Sequence, residues 1–240
     1  MDTPRHAAPV PPVVLVTGGG RGIGRAIALR FASEGARVVV AARSRAEIDA
    51  AAEACRSAGG DGIAVQMDVT DPASVQRALA EALERTDGRL DVLVNNAGVF
   101  AVAPFEELDF ATWKRLFAVN LDGVFHVTRH ALPALERSPR AHLLNIASVA
   151  AEVPYEGSSA YCATKYGLRG LTDVLRLELA PKGIRVSCVY PDGTDTTIFD
   201  DTPLELDPAE LDRPEDVAEV VFAAWSAGPG ADVDDVHMPT

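Results

Sequence analysis

A short apolar run, Val13-Val14-Leu15-Val16, ends in Thr17-Gly18-Gly19-Gly20-Arg21-Gly22-Ile23-Gly24, and the helical apolar pattern Ala26, Ile27, Leu29, Phe31 follows at once. Strand, glycine loop and helix in this order form the context that a phosphate-binding turn requires. Glycines let the backbone approach a pyrophosphate, while the next helix aims its free N–H groups and positive dipole end at it. The candidate contacts in this loop are Thr17, Gly18, Arg21, Gly22, Ile23 and Gly24.

The second strand, expected over Ala36 to Ala42, ends Ala41-Ala42-Arg43-Ser44-Arg45. An acid at this point, about 20 residues past the loop, would bind the ribose of NAD. None is present. Arg43, helped by Arg21, can instead hold a 2′-phosphate through charge-assisted hydrogen bonds. An aspartate there would repel that phosphate. The expected cofactor is therefore NADP(H) in preference to NAD(H).

Helices and strands continue to alternate. A helix is expected over Ala46 to Ala58, a strand over Ile63 to Met67 closed by Asp68-Val69, and a helix opening at Asp71-Pro72 with an N-cap and a first-turn proline. Further strands are expected over Leu90 to Val94, His142 to Ala147, Ile184 to Val189 and Val233 to Met238. A long helix over Thr112 to Leu135 carries Asn120 in a mostly apolar run. A buried asparagine needs partners, so Asn120 is either a helix-bending amide or part of a water relay. The pattern implies an α/β fold, a Rossmann-like doubly wound parallel sheet of about seven strands with helices on both faces. The expected organisation is a flexible lead-in at 1–12 followed by a single dinucleotide-binding and catalytic domain at 13–240.

The formal net charge of −13 argues against binding nucleic acid or an anionic membrane. Cys55, Cys162 and Cys188 show neither a metal spacing nor a redox pair, and no metal site is expected. Without a membrane-length apolar run or a signal-peptide core, the chain is expected to be cytoplasmic.

Tyr161 and Lys165 lie four residues apart in a helical pattern, on one face and about one turn apart. A free tyrosine titrates near ~10. An ammonium about 5 Å away, at an effective dielectric of ~20, favours the phenolate by roughly 3 kcal/mol, or a little over two pKa units. The pair is expected to transfer protons.

Together these motifs resemble the short-chain dehydrogenase/reductase family. The resemblance rests on the glycine loop, Asp68-Val69, Asn95-Asn96-Ala97-Gly98, Asn120, Ser148 and Tyr161-x-x-x-Lys165, in family order and spacing. It implies that Tyr161 is the general acid/base, that Ser148 holds the substrate oxygen, and that Lys165 lowers the tyrosine pKa and binds the nicotinamide ribose. Asn120 would position a water behind Lys165, Asp68 would contact the adenine, and Asn95, Ala97 and Gly98 would line the cofactor cleft. The family commonly forms a homodimer or homotetramer. Its activity is hydride transfer between nicotinamide and a small-molecule carbonyl or alcohol. Reduction of a 3-oxoacyl thioester is the narrower alternative, and a non-catalytic NADP(H)-binding regulatory protein the other.

One segment departs from the family pattern. Pro191 and Thr196 are in place around the nicotinamide, but the usual glycine after the proline is Asp192. Either Gly193 takes over the turn or cofactor binding is weakened. The segment at about 194–213 is expected to cover the substrate. It carries Asp200, Asp201, Glu205, Asp207, Glu210 and Asp212 as an acidic outer lid, with Phe100, Val153, Pro154 and Tyr155 as the apolar and aromatic wall beneath.

Overall fold

All seven apolar runs become strands of one parallel sheet. A computed structural model describes residues 10–239 apart from residues 201, 205, 229 and 232. Residues 1–9 of the expected lead-in, and Asp201 and Glu205 of the acidic lid, lie outside the described residues. The strands are β1 (Val13–Thr17), β2 (Arg37–Ala42), β3 (Asp61–Gln66), β4 (Val92–Asn95), β5 (His142–Ile146), β6 (Arg185–Tyr190) and β7 (Asp235–His237). They lie in the order β3-β2-β1-β4-β5-β6-β7. The order reverses between β1 and β4, so a crevice opens at their carboxyl ends, where a doubly wound sheet binds its ligand.

Alternation along each strand sets the two faces. Val14, Val16, Val38, Val40, Val92 and Val94 pack beneath α1 (Gly22–Ser33), α2 (Arg45–Ser57) and α7 (Pro214–Ser226). Val13, Leu15, Val39, Ile63 and Leu93 face α3 (Pro72–Arg85), α5 (Gly123–Leu135) and the end of α6 (Ser159–Leu179). Asp71 caps α3 by accepting from the Ala73 N–H at 2.9 Å, with Pro72 in the first turn.

The helix expected over 112–135 is instead two, α4 (Phe110–Phe117) and α5, joined by a π turn at Ala118–Asp122. Apolar periodicity does not register one extra residue in a turn. The extra residue is Asn120's segment, which is pinned by tertiary hydrogen bonds described below.

Gly62 in β3 lies under α2, and a Cβ there would fall inside the contact distance of the Ala52 carbonyl oxygen. Gly62→Ala is therefore expected to destabilise by about 1–3 kcal/mol through overpacking, at roughly 2–4 °C of Tm per kcal/mol for a chain of this size. Thermal unfolding followed by circular dichroism checks it, and an unchanged Tm would show that α2 shifts at no cost. Among the described residues no helix is long and apolar enough to cross a membrane, and no cluster of His, Cys, Asp and Glu could hold a metal.

Candidate active site

A cleft of about 980 Å³ runs along the carboxyl ends of the strands, from Arg43 and Asp68 at one end to Tyr161 and Phe199 at the other. The glycine loop forms its floor. Gly18 and Gly22 have φ of 63° and 51°, the left-handed region open to glycine. Arg21 precedes α1 without a side-chain cap, which leaves the first N–H groups of the helix available to an anion. Thr196 lies over the loop, since a Cβ on Gly22 would meet its Cγ2 at 3.1 Å. Loop, bare helix end and a cleft of this volume fit a dinucleotide.

Thr17 and Gly24 sit behind this surface. The Thr17 hydroxyl accepts from the N–H groups of Asn96 and Ala97 at 3.0 and 3.1 Å, joining β1 to the end of β4. Gly24 packs directly against Asn96 and the Gly18 carbonyl. Asn95, expected to line the cleft, does not. It is buried, and its amide donates to Thr128 and to Asn145 at 2.9 Å each. The next residue, Asn96, faces the cleft with Ala97 and Gly98, and donates to the Thr17 and Gly18 carbonyls at 2.9 and 3.3 Å. Neighbouring residues at a strand end point to opposite sides, and here the second asparagine braces the glycine loop.

At the outer end Ile23, Arg43, Asp68 and Val69 all line the cleft. Asp68 accepts from the Thr70 N–H and hydroxyl at 2.9 and 2.7 Å. Arg43 is exposed and makes no ion pair among the described residues, whereas Arg45 is held by Asp49 at 2.8 Å. Glu47 is a cleft residue that sequence reasoning missed. It stands 4.0 Å from Arg21 and against Gly20. Its signal was Ser44-x-x-Glu47, a capping-box spacing. Ser44 does accept from the Glu47 N–H at 3.4 Å, while the Glu47 carboxylate turns towards Arg21.

At the inner end Ser148 follows β5, and Tyr161 and Lys165 occupy the first turns of α6; all three line the cleft. The buried Lys165 ammonium donates to the Ile146 carbonyl at 3.0 Å and stands 5.6 Å from the Tyr161 ring centre. The Ser148 hydroxyl accepts from the Ala150 N–H at 3.1 Å. Burial pushes the Tyr161 phenol up to about 12, the neighbouring Ser148 hydroxyl drawing it back only in part. Burial also brings Lys165 down to about 8. This corrects the expectation that the ammonium brings the phenol towards neutral pH. Loss of water disfavours phenolate and ammonium alike, and it is the leading cause at both residues.

Asn120 does not touch Lys165. Its amide clamps Val99, accepting from the Val99 N–H and donating to the Val99 carbonyl, both at 2.9 Å, and donates to Thr164 at 3.2 Å. Its amide is engaged on both sides and sits in a π turn. Pro191 and Asp192 line the cleft. Asp192 and Gly193 both keep negative-φ backbone among the described residues, and the Asp192 carboxylate accepts from the Gly193 N–H at 2.7 Å. The turn makes no use of glycine's conformational freedom. Asp212 closes the base of the covering segment by donating to the Gly193 carbonyl and accepting from the Asp195 N–H, at 2.8 and 2.9 Å. Leu204, Leu206 and Leu211 line the cleft, while Asp200, Asp207 and Glu210 do not. Phe100 and Tyr155 form part of the wall; Val153 and Pro154 do not.

The short chain dehydrogenase family matches residues 12–206. A 2,5-dichloro-2,5-cyclohexadiene-1,4-diol dehydrogenase of Sphingobium indicum is 37% identical over 194 residues, 81% of this chain and 77% of that protein. An uncharacterized oxidoreductase of Methylorubrum extorquens is 41% identical over 238 residues, 90% of this chain and 93% of that protein. Among solved structures, a 3-ketoacyl-(acyl-carrier-protein) reductase from Brucella melitensis complexed with NADH matches with a TM-score of 0.86 at 30% identity, over 94% of this chain and 96% of that one. An alcohol dehydrogenase from Thermococcus sibiricus complexed with 5-hydroxy-NADP matches with a TM-score of 0.87 at 27% identity, over 94% and 95% of the two chains.

Proposed function

The chain belongs to the short-chain dehydrogenase family of oxidoreductases, and on that premise we propose that it is an NADP(H)-dependent enzyme interconverting a ketone and a secondary alcohol. The observation that carries this reading is convergence. Tyr161, Ser148 and Lys165 meet at one end of a cleft whose floor is a glycine loop and whose far end holds Arg43, exposed and without an ion pair among the described residues. The relatives support the two parts separately: one is named for a cyclohexadiene diol, and one structure holds an NADP analogue.

The nicotinamide supplies or accepts the hydride. The chain does the rest. Tyr161 gives its phenolic proton to the carbonyl oxygen in reduction and recovers it in oxidation. Ser148 hydrogen-bonds that oxygen as charge develops on it. Lys165, held on the Ile146 carbonyl, stabilises the phenolate left behind. Asn120 fixes Val99 and Thr164, and so holds the wall beside Lys165 in place. Asp68 and Val69 would border the adenine, with Pro191 and Thr196 over the nicotinamide half.

The reading extends to one domain over 13–240 whose segment at 194–213 covers the substrate, in the cytoplasm, where Cys55, Cys162 and Cys188 remain free thiols. It includes a homodimer or homotetramer. Phe110, Phe125, Tyr166, Val174 and Leu177 expose apolar surface on α4, α5 and α6, and light scattering should give at least twice the protomer mass. A protomer mass would remove that part.

The test of function is nicotinamide absorbance across a panel of ketones and secondary alcohols with both cofactors. Turnover of acetoacetyl thioesters alone would replace the ketone reading by the 3-oxoacyl one. Tight NADPH binding without turnover of any carbonyl would favour the regulatory reading.

A further inference from the structure

The carbon skeleton that the cleft accepts is set by the side chains around Tyr161. Phe100 meets the Tyr161 ring edge-on, with centroids 4.7 Å apart and planes at 84°. On its other side it meets Phe199 of the covering segment at 5.4 Å and 77°. Val102, Val149, Ile198 and Leu211 complete an apolar wall. The wall is held in place from behind, because Asn120 clamps both backbone polar groups of Val99, the residue before Phe100.

Charge on this side of the cleft is one-sided. The charged side chains there are Glu156, Asp192 and Lys165, and the Lys165 ammonium is already engaged by the Ile146 carbonyl. Asp192 makes no ion pair among the described residues. Its charge is felt at Tyr155 and Asp212, both held above their usual values, by burial first and by Asp192 next.

We propose that Phe100 is a specificity-determining residue, and that the site takes an uncharged ring ketone or ring secondary alcohol in preference to an open acyl chain on an anionic carrier. The proposal rests on the dehydrogenase reading above. A flat ring gains from edge-to-face contact with Phe100 and Phe199. It also has few rotors to freeze, whereas an open chain loses conformational freedom at each bond it orders. A phosphate-bearing carrier would pass Glu156 and Asp192, and among the described residues lining this side the one cation, Lys165, is already engaged.

The experiment compares kcat/KM for α-tetralone and for methyl octyl ketone, equal in carbon number, and for acetoacetyl-coenzyme A, in the wild type, Phe100→Leu and Phe199→Leu. The wild type should favour the ring, and each variant should lower the ring-to-chain ratio by about tenfold. NADPH affinity by nicotinamide fluorescence reports that each variant is folded, and the second variant stands in if the first is not. An unchanged ratio, or a wild type that prefers the open chain or the thioester, overturns the proposal. Calorimetric binding of the two ketones to the NADP⁺-loaded protein separates it from the dehydrogenase reading. Ring-selective binding lost in Phe100→Leu, without turnover, keeps the ring site and sinks the enzyme; equal binding of ring and chain sinks the ring site.

Discussion

Tyr161→Phe is expected to lower kcat/KM by ~10²- to 10⁴-fold, the range for loss of a positioned general acid, with NADPH affinity kept within a few-fold. The substitution removes only the phenolic oxygen. The ring that packs on Phe100 remains, as do Lys165 on the Ile146 carbonyl and the whole glycine loop, so a loss of rate without a loss of cofactor binding isolates the proton transfer. Steady-state rates together with fluorescence titration read both quantities. Unchanged turnover would remove Tyr161 from the mechanism. The pH profile follows from the buried Lys165 and the half-buried, desolvated Tyr161. With the phenol raised to about 12, Tyr161 stays protonated across the working range and its ionisation does not limit reduction. Lys165, lowered to about 8, loses its charge as pH rises through that value, and the phenolate formed in the step loses its cation. Reduction should therefore be level below about pH 8 and fall above it; a fall towards acid instead would assign the profile to another group.

What could be read ahead of the structure was local. The glycine loop, the Asp71-Pro72 helix start and the one-turn spacing of Tyr161 and Lys165 each depend on a few adjacent residues, and each stands where expected. What could not be read depended on partners far along the chain. Asn95 and Asn96 are identical in type, and only the register of β4 in the sheet decides which faces the cleft. The π turn at Asn120 answers to Val99 and Thr164, which apolar periodicity does not report. Glu47 carries a recognisable capping spacing, yet its approach to Arg21 comes from the packing of two loops. Desolvation of Tyr161 and Lys165 is a property of the assembled fold, and it acts against the direction in which the ammonium alone would move the phenol. Phe100 and Phe199 meet only because the covering segment folds back over the cleft.

Replacing Ala42 by Asp together with Arg43 by Ala is expected to move the NADP-to-NAD preference by ~10²-fold or more, counting one charged hydrogen bond lost and one gained at about 1.5–3 kcal/mol each. Two physical changes act in the same direction. Arg43 is exposed, lines the cleft and is held by no acid among the described residues, so its removal costs a 2′-phosphate a cation. Ala42 is half-buried at the end of β2 and also lines the cleft. A carboxylate at that position repels the phosphate and offers the free ribose hydroxyls of NAD an acceptor. Glu47 already places one negative charge near this end of the cleft, 4.0 Å from Arg21. In the parent chain Arg43 must therefore outweigh it, and in the double variant Glu47 adds to the repulsion. The kcat/KM ratios for the two cofactors and their dissociation constants by fluorescence give the shift directly. A ratio that fails to move would mean that Arg21 holds the phosphate on its own, and the shift would then appear in Arg21→Ala, which removes the cation 4.0 Å from Glu47.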